Sequence, residues 1–252
     1  TVGANINDVE KIDNKMIEID GTEFKSRLGA NSILSVSMAC TRACASSNNL
    51  ELFELIRKIY GLNLEGYRLP NPMFNVLNGG SHAFNSTDFQ EYMVVPVGVE
   101  NFETSISAGF EIYNKLKILL ESKNYPTTIG DEGGFAPPGL TNEGPLDLLI
   151  DAVSQTEYKL GDEIKFALDV AASEFYDDIS NVYDLKSESK KLSSNELTLI
   201  YQDLVKKYPL YSIEDGLSED DWAGWKKLTE MVGDEIQLVG DDLYVTQKKF
   251  LT

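Results

Sequence analysis

The sequence is short of what several protein classes require. Two cysteines in 252 residues cannot make a disulfide framework. No apolar run comes near the roughly 18 uninterrupted residues of a membrane span. Positive charge is scarce: 22 Lys and Arg stand against 41 Asp and Glu, a net charge of −19. A surface of that sign repels phosphate, which argues against a nucleic-acid or anionic-membrane binder. Histidine is reduced to one residue, His82. No internal repeat and no low-complexity tract is visible.

Apolar residues make up 42% of the chain, enough for a sizeable core, which excludes wholesale disorder. At roughly 150 residues per domain the length allows one to two domains. The chain opens at Thr1 without a Met and stops at Phe250-Leu251-Thr252, just after a strand-like run. Both ends look cut, so a piece of a longer protein is expected, and any signal peptide is hidden.

Residues 22–60 read as helical. Ile33, Val36, Cys40 and Cys44 make one apolar face, and Leu52, Leu55, Ile56 and Ile59 make a second, stopped by Gly61. The thiols one turn apart read as small buried groups rather than a metal or redox pair. A Pro- and Gly-bearing connector over 61–72 places a boundary, with domains expected at 1–64 and 65–252. Beyond it, strand-like runs alternate with helical patterns. Glu91 to Val95 is strand-like with Pro96 as its stop. Ser105 to Leu120 reads as an amphipathic helix on Ile106, Phe110, Tyr113 and Leu120. Further strand-like runs end at Asp169, at Glu214 and near Asp241. Between them, Ser193 and Glu196 form a capping box, and Ser218 is expected to open a helix through Trp222, Trp225 and Leu228. Such alternation predicts α/β architecture from parallel βα units, either an open sheet or a barrel. In both, ligands gather at the C-terminal ends of the strands.

Asp169, Glu214 and Asp241 each follow a separate strand-like run. One acid after a strand is ordinarily a helix cap. Three in succession would converge at one mouth, where uncompensated like charges repel. A divalent cation resolves that conflict, and oxygen-only ligands suit a hard ion, Mg²⁺ before Mn²⁺ or Ca²⁺. A second feature is Gly130-Asp131-Glu132-Gly133-Gly134, where glycines flank an acidic pair and let the backbone approach a ligand closely. An acid held there could act as a general acid with a raised pKa. A third is Asn78-Gly79-Gly80-Ser81-His82-Ala83, followed by Asp88-Phe89-Gln90-Glu91. Taken singly, a loop histidine and an acid opening a strand mean little.

In order along the chain, Lys25-Ser26-Arg27-Leu28-Gly29-Ala30-Asn31, Asn78 to His82, Gln90-Glu91, Gly130 to Gly134, Leu168-Asp169, Ser212-Ile213-Glu214-Asp215 and Gly240-Asp241-Asp242-Leu243 closely resemble the enolase family. The Glu214-Asp215-Gly216-Leu217 and Asp88-Phe89-Gln90-Glu91 variants look more like the bacterial-type members. The resemblance implies the C-terminal part of an α+β capping domain, followed by about five of the eight strands of an incomplete enolase-type (β/α)8 barrel. It implies a lyase interconverting 2-phosphoglycerate and phosphoenolpyruvate, a cytoplasmic homodimer that depends on Mg²⁺. By motif match it makes Asp169, Glu214 and Asp241 the metal ligands, the last two also facing substrate. Glu132 becomes the acid for the leaving hydroxyl, Glu91 its assistant and a substrate contact, and His82 a contact to the phosphate end. The family's base lysine lies on the strand after the one ending at Asp241. No lysine here matches it, so these 252 residues are expected to be inactive by themselves, and an unclosed barrel with exposed edges and apolar surface is expected to be poorly stable. Phe84 departs from the small or polar residue usual after the His-Ala pair. Two alternatives are another superfamily member acting on an unphosphorylated acid sugar and a non-catalytic, plasminogen-type surface binder.

Overall fold

The computed structural model describes residues 3–63, 65–83, 86–130 and 132–251, with the backbone alone for His82. It divides into two compact units, Thr1–Arg68 and Leu69–Thr252.

The first unit is helical: α1 (Val9–Asp20), α2 (Ala30–Ser47) and α3 (Leu52–Ile59). The sequence reading did not anticipate α1 and ran its helix too far back, to residue 22. Val9, Ile12, Met16 and Asp20 of α1 are buried at three- and four-residue spacing, an inward stripe thin enough to be masked by the polar residues between. Gly21 ends α1 in the left-handed region at φ 66°, its N–H donating to Ile17 O at 2.9 Å. The stripe packs on Ile33 of α2, on Cys44 and Ala45 about three turns later, and on Leu55 of α3. Both thiols are free; Cys44 is buried and Cys40 half-buried.

The second unit is built on a five-stranded sheet. Its strands are β1 (Phe74–Asn78), β2 (Glu91–Pro96) and β3 (Ile164–Asp169), followed later in the chain by two more. A small antiparallel sheet of β4 (Tyr176–Asp177), β5 (Val182–Leu185) and β6 (Lys190–Leu192) intervenes, and β7 (Leu210–Glu214) and β8 (Gln237–Val239) complete the main sheet in the order β1-β2-β3-β7-β8. Helices α4 (Phe102–Ser122) and α5 (Gly144–Val153) separate β2 from β3, α6 (Ser194–Lys207) precedes β7, α7 (Trp222–Val232) precedes β8, and the short α8 (Asp241–Tyr244) follows it. The α/β class is as expected, but the sheet is mixed. β3, β7 and β8 are parallel, whereas β2 runs antiparallel to both β1 and β3. β1 and β2 pair antiparallel as consecutive strands, and β2 and β3 pair antiparallel although α4 and α5 lie between them in the chain.

The helix-facing side of the sheet, with Tyr92, Val94, Phe166, Leu168 and Ile213, forms the main core. Against it lie Ile112, Leu116 and Leu120 of α4, Leu149 of α5, Tyr201 of α6 and Leu228 of α7. On α4 the structure corrects the expected face. Ile106 and Phe110 are exposed, Phe110 by 71%. The buried line is Ser105, Ala108, Gly109, Ile112, Leu116 and Leu120. Small residues at 108 and 109 bring the helix so near β1 that a Cβ on Gly109 would stand 2.5 Å from the Phe74 ring. Close approach thus outweighs the larger apolar surface of the other face. The capping box of α6 forms as expected, Ser193 N donating to Glu196 Oε2 at 2.8 Å. α7 begins later than expected, capped by Asp221, which accepts from Gly224 N at 2.9 Å.

Candidate active site

The reversal of β2 decides the site. Its first residue, Glu91, lies at the same sheet edge as the last residues of β3 and β7. The registers pair Glu91 with Asp169 and Asp169 with Glu214, so three carboxylates occupy one row on three adjacent strands. Residues paired in register share a face. Below them on that face come Met93 paired with Ala167, then Val95, and these three form a small apolar cluster of their own. Glu214 pairs onward with Val239 at the end of β8, two residues before Asp241.

Above this row opens a cavity of about 480 Å³, with Glu91, Asp169, Glu214 and Asp241 in its wall together with Glu132, Glu174, Asp215 and Asp242. Among the described residues, no lysine or arginine lines it. Burial beside like charges raises the pKa of Glu91, Asp169, Glu214, Asp215 and Asp242. Burial pushes Glu91 up to about 8, helped by the hydrogen bond it shares with Glu132 and by the charge of Asp169. Burial, then the charge of Glu214, pushes Asp169 up to about 7. Glu214 is raised by burial and by Asp215 and Asp241. Asp215, raised to about 6 chiefly by burial, turns the chain sharply at φ 43° and accepts from Asp242 N at 3.0 Å.

Glu132 arrives from a loop laid on the outer edge of β1. Asn78 N donates to Phe135 O at 2.8 Å, and Phe135 N to Val76 O at 2.9 Å. Gly134 is required there, because a Cβ would meet Asn78 Oδ1 at 2.3 Å and Leu77 N at 2.9 Å. Gly133 takes φ 90°, a conformation that glycine adopts without strain. Its carbonyl accepts from Tyr113 OH at 2.9 Å, which ties the loop to α4. Glu132 Oε2 accepts from Asn75 Nδ2 at 3.3 Å.

Glu91, Glu132, Asp169, Glu214 and Asp241 are therefore brought to one cavity. His82 ends a short turn, Gly80–His82; its side chain, with Phe84 and Asp131, lies outside the described residues. Ser81 beside it donates to Glu174 Oε2 at 2.9 Å. Among the described residues, no three His, Cys, Asp or Glu side chains stand close enough to form a ready-made metal group. The acids share a cavity without being drawn onto one point. Sequence reasoning passed over Asp215, Asp242 and Glu174 as parts of the wall. The doubled Glu-Asp and Asp-Asp pairs at strand ends were a usable signal for the first two; Glu174, on a turn after β3, offered none.

The family model described as "Enolase, C-terminal TIM barrel domain" matches residues 66–252, and the one described as "Enolase, N-terminal domain" matches residues 1–56. The chain is 50% identical over 250 residues to an enolase from Nitratiruptor sp., covering 99% of this chain and 58% of the relative. Identity to an enolase of Wolinella succinogenes is likewise 50% over 250 residues, with the same coverage. To an enolase of Sulfurimonas denitrificans it is 52% over 240 residues, covering 95% of this chain and 55% of the relative. The chain thus spans somewhat over half the length of the curated relatives it matches.

Proposed function

Because the chain belongs to the enolase family, we propose that its acidic cavity is the carboxylate side of an enolase active site. The protein would then interconvert 2-phosphoglycerate with phosphoenolpyruvate and water, as a cytoplasmic homodimer. The observation that carries the reading is the row Glu91, Asp169 and Glu214 on adjacent strands, with Glu132 brought against Glu91 from a separate loop.

In its chemistry, though without the acids being drawn onto one point, the donor set is of the kind a hard divalent cation takes. It is all oxygen, and burial beside like charge holds Asp169 and Glu214 above the ordinary carboxylate range. Asp169, Glu214 and Asp241 would hold Mg²⁺, the last two also facing the substrate. Bound there, the ion supplies positive charge for a substrate carboxylate that gains charge as the neighbouring proton is lost.

The chain's own residues account for the other half of the reaction. A leaving hydroxide needs a proton, and the donor must still hold it near neutral pH. The Glu91 and Glu132 carboxyls share a hydrogen bond, with Glu91 raised to about 8, so the pair retains a proton at neutrality. Glu132, on the glycine loop, delivers that proton; Glu91, fixed in β2, shares it and contacts the substrate. Met93, Val95 and Ala167 form an apolar floor beneath the row. His82, at the end of its turn, is assigned to the phosphate end of the substrate. Removal of the substrate proton is assigned to none of the described residues of the cavity wall, which offers no lysine.

The test uses the protein at the full length of its relatives, following ultraviolet absorbance of the enol product. Glu132→Gln is expected to lower turnover by about 10²-fold or more, the usual contribution of a positioned acid, with Mg²⁺ binding by calorimetry unchanged. A fully active variant overturns the role of Glu132.

A further inference from the structure

We propose that Asn142 is a positioning residue for Glu91, holding the backbone before that carboxylate with its side-chain amide and the residue after it with its carbonyl. The inference rests on the reading of Glu91 as half of the proton-holding pair.

Asn142 lies in the loop leading to α5, outside the acidic cavity, and is only 4% exposed. Its Oδ1 accepts from Asp88 N at 2.8 Å and from Phe89 N at 3.3 Å. Its Nδ2 donates to Asp88 Oδ2 at 3.0 Å. Its carbonyl accepts from Tyr92 OH at 2.9 Å. Residues 88, 89 and 92 bracket Glu91. The sheet ladder takes over from residue 90, where Gln90 N donates to Asp169 O at 3.1 Å. Immediately before β2 the Asn142 amide therefore stands in for a neighbouring strand. Phe89 and Tyr92 are fully buried, so the segment that carries Glu91 is seated in the core on both sides of it. The Asp88 carboxylate extends the clamp to the small hairpin, accepting from Ser187 N at 3.1 Å and from the Ser187 hydroxyl.

The chemistry of the position selects an amide. It must accept two N–H groups on one oxygen and donate to a carboxylate beside it. Aspartate offers the acceptors, but no donor, and adds a second negative charge next to Asp88. A misplacement of about 1 Å at a reacting group can cost about 10²-fold in rate.

The experiment compares Asn142→Asp, the double exchange Asn142→Asp with Asp88→Asn, and Glu91→Gln in the full-length protein. Asn142→Asp is expected to lower kcat by about 10- to 100-fold while KM moves less than about threefold. The double exchange puts a donor and an acceptor back in contact with their places reversed, and is expected to recover at least about tenfold of the lost kcat. Melting temperatures measured in parallel separate a smaller folded fraction from a displaced carboxyl. Asn142→Asp turning over within about threefold of the parent, while Glu91→Gln has lost activity, overturns this inference and leaves the function standing. A loss that the second exchange does not restore, or one matched by the folded fraction alone, overturns it as well. Full activity in Glu91→Gln removes the function reading and this inference with it.

Discussion

At the scale of single residues, the acidic cavity makes a definite statement about pH. Glu91 and Asp169 have folded pKa values of about 8 and about 7, against ordinary values of 4.5 and 3.8. A carboxyl whose pKa is raised on folding contributes stability that is complete below its unfolded value and is lost as pH rises through its folded value. The metal-free protein is therefore expected to lose stability steadily between about pH 5 and pH 8, as buried negative charge accumulates. Urea denaturation at several pH values, without divalent ions, measures this. Glu91→Gln should flatten the slope, and added Mg²⁺ should stabilise more at pH 8 than at pH 5. A parent protein equally stable at both ends, with or without Mg²⁺, contradicts this picture of the cavity.

At the scale of elements, close approach governs α4. The helix meets β1 through Gly109 and leaves Phe110 in solvent, although hydropathy alone favours Phe110 for the buried side. Gly109→Ala is expected to destabilise by about 1–3 kcal/mol, the usual cost of overpacking, because its Cβ meets the Phe74 ring. Phe110→Ser should stay within about 0.5 kcal/mol, as for other surface positions. Chemical denaturation of both variants checks the pair, and the reverse ranking would restore the face that periodicity alone suggests. The same lesson applies to α1, whose four inward residues are outnumbered by polar neighbours. Local signals succeeded where one residue carried the geometry, as in the Ser193 and Glu196 capping box and the glycines around Glu132.

At the scale of the whole chain, β8 is paired with β7 on one side, and among the described residues no strand of the sheet covers the other. An uncovered strand edge is a template for pairing with another chain. The 252 residues expressed by themselves are expected to associate with rising concentration, in sedimentation or size-exclusion runs, and to show no turnover. A monodisperse monomer at high concentration would indicate that the edge is protected. A measurable rate would mean that a base exists within these residues.

The sequence by itself determined the α/β class, the strand ends at Asp169 and Glu214, the glycine loop under Glu132 and the acidity of whatever site those residues share. Each of these is written in a short stretch, where turn chemistry and side-chain period act locally. Only the tertiary structure decided that β2 runs backwards, which brings Glu91, singled out in the sequence by motif resemblance alone, to the mouth of the sheet. The same holds for Asn142, which meets Asp88 and Tyr92 across some fifty residues, and for Glu174 and the buried face of α4. Strand direction and helix seating are set by packing between distant segments, where the energy lies in contacts that no local window contains.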